Sequence, residues 1–181
     1  WILIFLIPAI TMKTFADEFR SGTIEILKTR PITDVTLVLG KFFAILTLLI
    51  IVLIPTFVYV YSIHELGNPV GNIDYGSISG SYIGLFLLAS SFASIGIFTS
   101  TLTKNQVVAF LLGICVIFLF YYGFDAVSSL FGNYSYTIKL LGMNEHYKSI
   151  SRGVIDSRDV LYFMSIIIFF LFVSKQKLTN E

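Results

Sequence analysis

Residues 15–41 read FADEFRSGTIEILKTRPITDVTLVLGK. This polar stretch stands between two strongly apolar ones, and that placement decides the fold class. A chain that alternates apolar runs with short charged connections threads a bilayer repeatedly. The stretch holds Arg20, Lys28, Arg30 and Lys41, and Lys13 stands just before it, out of twelve basic residues in the chain.

Composition agrees with lipid as the solvent. Of 181 residues, 56% are hydrophobic and 13% charged, where an ordinary soluble domain carries roughly a quarter charged residues. The mean hydropathy is +0.86. Net charge is +1 and no basic block is present, so nothing points to nucleic acid. The single cysteine, Cys115, lies in an apolar run and reads as a small packing residue.

Outward from residues 15–41, the chain divides into spans. Residues 1–14 (WILIFLIPAITMKT) are apolar up to Lys13, with Trp1 placed for an interfacial belt and Pro8 placed to kink the helix. The chain starts inside this run with no charged leader, and reads as a fragment that lacks a first span. After the polar stretch, residues 35–63 form a long apolar run, capped by Thr33 or Asp34 and holding Pro55. Lys41 in its first turns is expected to snorkel. A turn-rich loop at 64–75 precedes a span at 78–102, which has Gly76, Gly80 and Gly84 at four-residue spacing. Small residues so spaced let helices approach closely, and packing within the chain's own bundle is the expected use. The polar turn Thr103–Gln106 leads to a span at 107–124. A connection at 125–159 is expected to form short outer amphipathic helices. A last span at 160–173, short for a bilayer, is capped by Asp156 or Ser157 and followed by a polar tail.

The fold class is therefore all-α: a single polytopic transmembrane helix bundle over 1–181. Five spans are present of an expected six, with a cytoplasmic segment at 15–34 and an outer helical segment at 125–159. Placing the charged stretch inside puts eight Lys and Arg on that side against four outside, all four of them in the 125–159 connection.

Chemistry within the chain is poorly supported. Gly40-Lys41 lacks the rest of a phosphate loop, and no metal or nucleophile motif occurs. No cofactor is implied. His64 and His146 read as solvated loop residues. Asn133-Tyr134-Ser135 fits a glycosylation sequon, a pattern frequent by chance. The spans 42–63, 78–102, 107–124 and 160–173 hold no charged residue, which argues against an ion-coupled carrier. Work, if used, must arrive from outside the bilayer. Thr23 is placed to cap a short helix at 24–30, with Glu25 in its first turn, Lys28 and Arg30 in its last, and Pro31 stopping it. Ile24 and Leu27 give it an apolar edge. So short a helix needs a platform, either the membrane surface or a partner.

The same run, with Gly22, Thr23, Glu25, Leu27, Pro31, Gly40 and Lys41, resembles the coupling segment of the ABC type-2 exporter permeases. Residues 146–163 (HYKSISRGVIDSRDVLYF) resemble that family's outer helices. The two runs jointly look most like GldF, the permease of the gliding-motility-associated transporter. The resemblance implies a multi-pass permease in the inner (plasma) membrane, paired with a second permease subunit and driven by a separate ABC ATPase subunit. It implies ATPase contact at Thr23, Glu25 and Leu27, with a second, smaller contact at Lys104. It also implies outer exit helices around Tyr147, Arg152 and Asp156. A structural membrane anchor of a motility or secretion machine is the alternative reading of the same residues.

Overall fold

The structure, a computed structural model, describes residues 1–29, 31–130 and 134–180. Among these, every regular element is helical. Arg30 and Asn133, and with Asn133 the sequon, lie outside the described residues.

The first apolar run forms α1 (Ile2–Thr11), a helix of 10 residues that continues through Pro8. At 1.5 Å per residue it is about 15 Å long, half a hydrocarbon core. Among the described residues, four other helices are long and apolar enough to cross a membrane. The polar stretch folds as two short helices, α2 (Ala16–Ser21) and α3 (Thr23–Lys28).

The long run is helical from Asp34 to Leu66, as α4 (Asp34–Leu53), a 3-10 turn at Ile54–Thr56 and α5 (Phe57–Leu66). Thr33 caps it by accepting a hydrogen bond from the Thr36 amide at 3.3 Å. Pro55 has no amide hydrogen and its ring crowds the preceding turn, which accounts for the tightening at that point. Val38, Phe42, Ile45 and Leu49 bury one heptad-like stripe of α4, while Phe43, Leu48, Ile50 and Ile51 are exposed. Those exposed side chains suit lipid.

α6 (Tyr75–Thr101) is the hub. Of its most apolar stretch 72% is buried, against 17–28% in the other three spanning candidates. It packs against α1, α4 and the three elements that follow it in the core: α7 (Gln106–Phe118), α10 (Met143–Ser151) and α11 (Ser157–Thr179). Between α7 and α10 come a π turn at Leu119–Gly123, α8 (Phe124–Ser128) and α9 (Ser135–Lys139).

The composition of α6 explains its central place. Its glycines admit neighbours where a methyl group would not fit. A Cβ on Gly80 would meet the Ile150 carbonyl, and one on Gly84 would lie 3.2 Å from the Ile150 side chain. A Cβ on Gly96 would collide with the Thr11 side chain. The small-residue stripe thus packs within the chain's own bundle, against α10. The buried hydroxyls are satisfied by the helix itself: Ser90 donates to the Phe86 carbonyl at 2.7 Å, Ser94 to Ser91 at 2.8 Å, and Thr99 to Gly96 at 3.1 Å.

The last span is longer than its apolar core. α11 has 23 residues and runs through Lys175 and Lys177 to Thr179, so the expected polar tail is helical. Asp156 caps its start, accepting from the Arg158 amide at 3.0 Å.

Candidate coupling surface

Helices as short as α2 and α3, at 6 residues each, do not persist alone in water. Here they are held by burial and by polar ties. Phe15 and Ala16 are fully buried and Ile24 nearly so; Phe19 and Leu27 pack on the core. Gly22 joins the two helices at φ +73°. A side chain is strained in that left-handed conformation, so the residue between the helices is a glycine for backbone reasons. The helix therefore begins at Thr23 with Gly22 as its cap. The Thr23 hydroxyl does not cap; it meets the Ser21 hydroxyl at 2.9 Å.

Each of the long helices is tied near one of its ends to this segment or to Thr14 just before it. Thr14 shares a hydrogen bond with Ser100 of α6 at 2.7 Å. Gln106, the first residue of α7, donates to the Asp17 carboxylate at 2.6 Å. Lys41 of α4 pairs with Glu18 at 2.5 Å, donates to the Thr14 carbonyl, and sits 4.0 Å from the Phe15 ring centroid. Lys28 donates to the Leu178 carbonyl of α11 at 2.8 Å. Thr179 then donates to Asp34 at 2.9 Å, closing α11 onto α4. Lys41 is thus a structural clamp rather than a snorkelling cation. One Glu18 oxygen, Oε2, is buried without a partner among the described residues.

The outward face of the segment is different. Gly22, Thr23 and Glu25 are exposed, as is Lys104 in the turn before α7. The Asp17–Gln106 bond brings that turn beside α2. Leu27 faces inward with Ile24, and the outward apolar residue is Ile26, 61% exposed. Helical spacing alone does not find Ile26, because the i, i+3 pair Ile24 and Leu27 marks the edge that is buried. The exposed Arg20–Asp17 pair at 3.3 Å adds little on its own.

A profile of the ABC-2 family transporter proteins matches residues 2–154. This chain belongs to the ABC-2 transporter family. No curated protein and no solved structure matches it. With four helices of spanning length, the chain is an integral membrane permease component of an ABC transporter, a family whose members normally work with an ATPase subunit. Catalysis is not this family's part of the work.

The opposite end of the ABC-2 bundle gathers the residues expected in the outer helices. Tyr147 is half-buried and packs beside Gly84, its ring 3.4 Å from where a Cβ would stand. Gly153 turns the chain at φ +89°, and a Cβ there would lie 2.8 Å from the Gly76 carbonyl carbon. Arg152 and Asp156 are exposed on either side of that turn. His146 is not a solvated loop residue. Its Nδ1 lies 2.7 Å from Asp159, its Nε2 lies 2.8 Å from the Leu140 carbonyl, and its ring stacks on Tyr162 at 3.9 Å. The carbonyl only accepts, so Nε2 carries the hydrogen.

Proposed function

We propose that α2, α3 and the turn at Lys104 form the docking surface for a separate ABC ATPase subunit. Force delivered there is passed to the spans. The observation that carries this reading is the set of ties from one short polar segment to α4, α6, α7 and α11 together. Movement of so short a segment displaces four helices at once. Glu25 and Ile26 supply the docking face, with Thr23 and Gly22 at its edge and Lys104 as the second contact. Leu27 positions that face from behind.

On this reading the segment faces the cytoplasm of an inner (plasma) membrane, and the chain pairs with a second permease subunit. The link to gliding motility is supported by the resemblance of residues 15–41 and 146–163 to GldF. The test is co-purification. Glu25→Lys combined with Ile26→Asp should abolish capture of the ATPase subunit and its stimulated turnover, with membrane insertion retained. Unchanged capture and turnover would remove the docking role. Orientation is tested separately, in a Cys115→Ser background. A cysteine at Asn68 should react with an impermeant thiol reagent in intact cells, and one at Asn105 should not; the reverse pattern inverts the topology.

A further inference from the structure

Four basic residues lie at the end of the bundle opposite the coupling segment, and they fall into two kinds. Lys139 pairs with Asp125 at 3.6 Å and Lys148 with Glu145 at 3.3 Å. The guanidinium groups of Arg152 and Arg158 have no ion pair or hydrogen bond among the described residues, and both line one cavity of about 350 Å³. Its wall also carries His146, Tyr136 and three carboxylates, those of Glu145, Asp156 and Asp159.

The backbones that carry the two arginines are fixed. The Arg152 carbonyl accepts from Ser77 at 3.4 Å, and the Gly153 turn beside it abuts Gly76. The Arg158 amide is bonded to Asp156. The carboxylates around the cavity are already engaged: Glu145 with Lys148, Asp156 with the Arg158 amide, and Asp159 with His146. Asp159 is only 6% exposed, and its Oδ2 has no hydrogen-bond partner among the described residues. The wall thus holds two guanidiniums that meet no acceptor among the described residues and one buried carboxylate oxygen that meets no donor there.

We infer that the cavity between α9, α10 and the start of α11 binds a headgroup-sized oxyanion, held by Arg152 and Arg158. Guanidinium forks match phosphate and carboxylate oxygens in pairs. The volume lies at the lower end of the range for small-ligand sites, roughly 300–1,000 Å³. The cavity opens at the first turn of α11, beside the start of its apolar run, where a phospholipid headgroup would be within reach. A soluble phosphate offers the same chemistry.

The test uses the full chain in detergent, compared with Arg152→Gln/Arg158→Gln, Arg152→Lys/Arg158→Lys and Lys13→Gln. Lipid retention is read by native mass spectrometry for phosphatidylglycerol and phosphatidylcholine, and melting is followed with inorganic phosphate. If the oxyanion is a headgroup, phosphatidylglycerol retention falls about tenfold in the Gln pair, by less in the Lys pair, and not at all in Lys13→Gln. If the source is soluble, phosphate raises the melting temperature of the wild type and not of the Gln pair, with lipid retention equal. Both arginines are exposed, so the Gln pair should elute and melt as a folded protein. Equal lipid retention and equal phosphate response in wild type and the Gln pair overturns the site.

Discussion

The two ends of the bundle are held by different means. At the coupling end, side chains reach across to the 14–28 segment: Thr14 to Ser100, Gln106 to Asp17, Lys41 to Glu18, and Lys28 to Leu178. At the other end, backbone meets backbone, with Gly80 against Ile150 and Gly153 against Gly76. Side-chain ties reorganise by rotamer changes, on the order of nanoseconds where solvent reaches them. Close-packed backbones have no such freedom, because interiors are packed as densely as crystals. The contrast teaches that, on the proposed function, the coupling end is the one built to transmit movement and the far end the frame against which it would move.

The largest expected effect tests the frame. Alanine in place of a helical glycine ordinarily stabilises by about 1 kcal/mol. At Gly80 the new methyl group would run into the Ile150 carbonyl, and overpacking of this kind costs about 1–3 kcal/mol. Gly80→Ala should therefore lower the melting temperature in detergent. Gly40→Ala, where nothing lies within 4 Å of the added Cβ, should leave it unchanged or raise it. A neutral Gly80→Ala would mean the far end is not backbone-limited.

Next in size is the side-chain clamp. Lys41→Met leaves Glu18 mostly buried without its cation, since the paired side chains are 20% and 25% exposed. A hydrogen bond to a charged group is worth about 1.5–3 kcal/mol, and residual solvent reduces this to about 1–2 kcal/mol. Adding Glu18→Gln should recover part of the loss in the same melting assay. Failure of that rescue would show that Lys41 acts through the Phe15 ring or the Thr14 carbonyl instead.

The smallest effect lies at the start of α6. The Ser77 hydroxyl and amide, with help from the Gly76 amide, hold the Asp74 carboxyl below its ordinary range. A carboxyl depressed in the folded state contributes stability above its unfolded pKa, and that contribution is lost as pH falls through the folded pKa. Amide exchange at Gly76 and Ser77, corrected for its intrinsic pH dependence, should lose protection in acid. Asp74→Ala should show the same loss at neutral pH.

What could be read from the sequence follows from what lipid demands. Spans had to be long apolar runs, and two of their caps were legible to within one residue, as Thr33 or Asp34 and as Asp156 or Ser157, because these signals are local; the fold selects Thr33 and Asp156. The course of α11 past Ser174 was not legible: hydropathy marks where lipid ends, and a helix rich in lysine continues into water. α2 was missed although Asp17, Glu18 and Arg20 match a helix dipole, since six residues carry too little periodicity. The inward turn of Leu27 and outward turn of Ile26 depend on which face the core takes, which no local pattern states. His146 and Asp159 are thirteen residues apart; their pairing exists only once α10 and α11 are laid together.

The buried hydroxyls in the C-terminal half of α6 have a mechanical consequence. Ser90, Ser91, Ser94, Thr99 and Thr101 all donate to carbonyls of their own helix. A neighbouring helix that slides or rocks across this surface breaks none of those bonds. This half of α6 is thus polar in composition yet, apart from the Ser100 contact with Thr14, makes its side-chain hydrogen bonds to itself rather than to its neighbours.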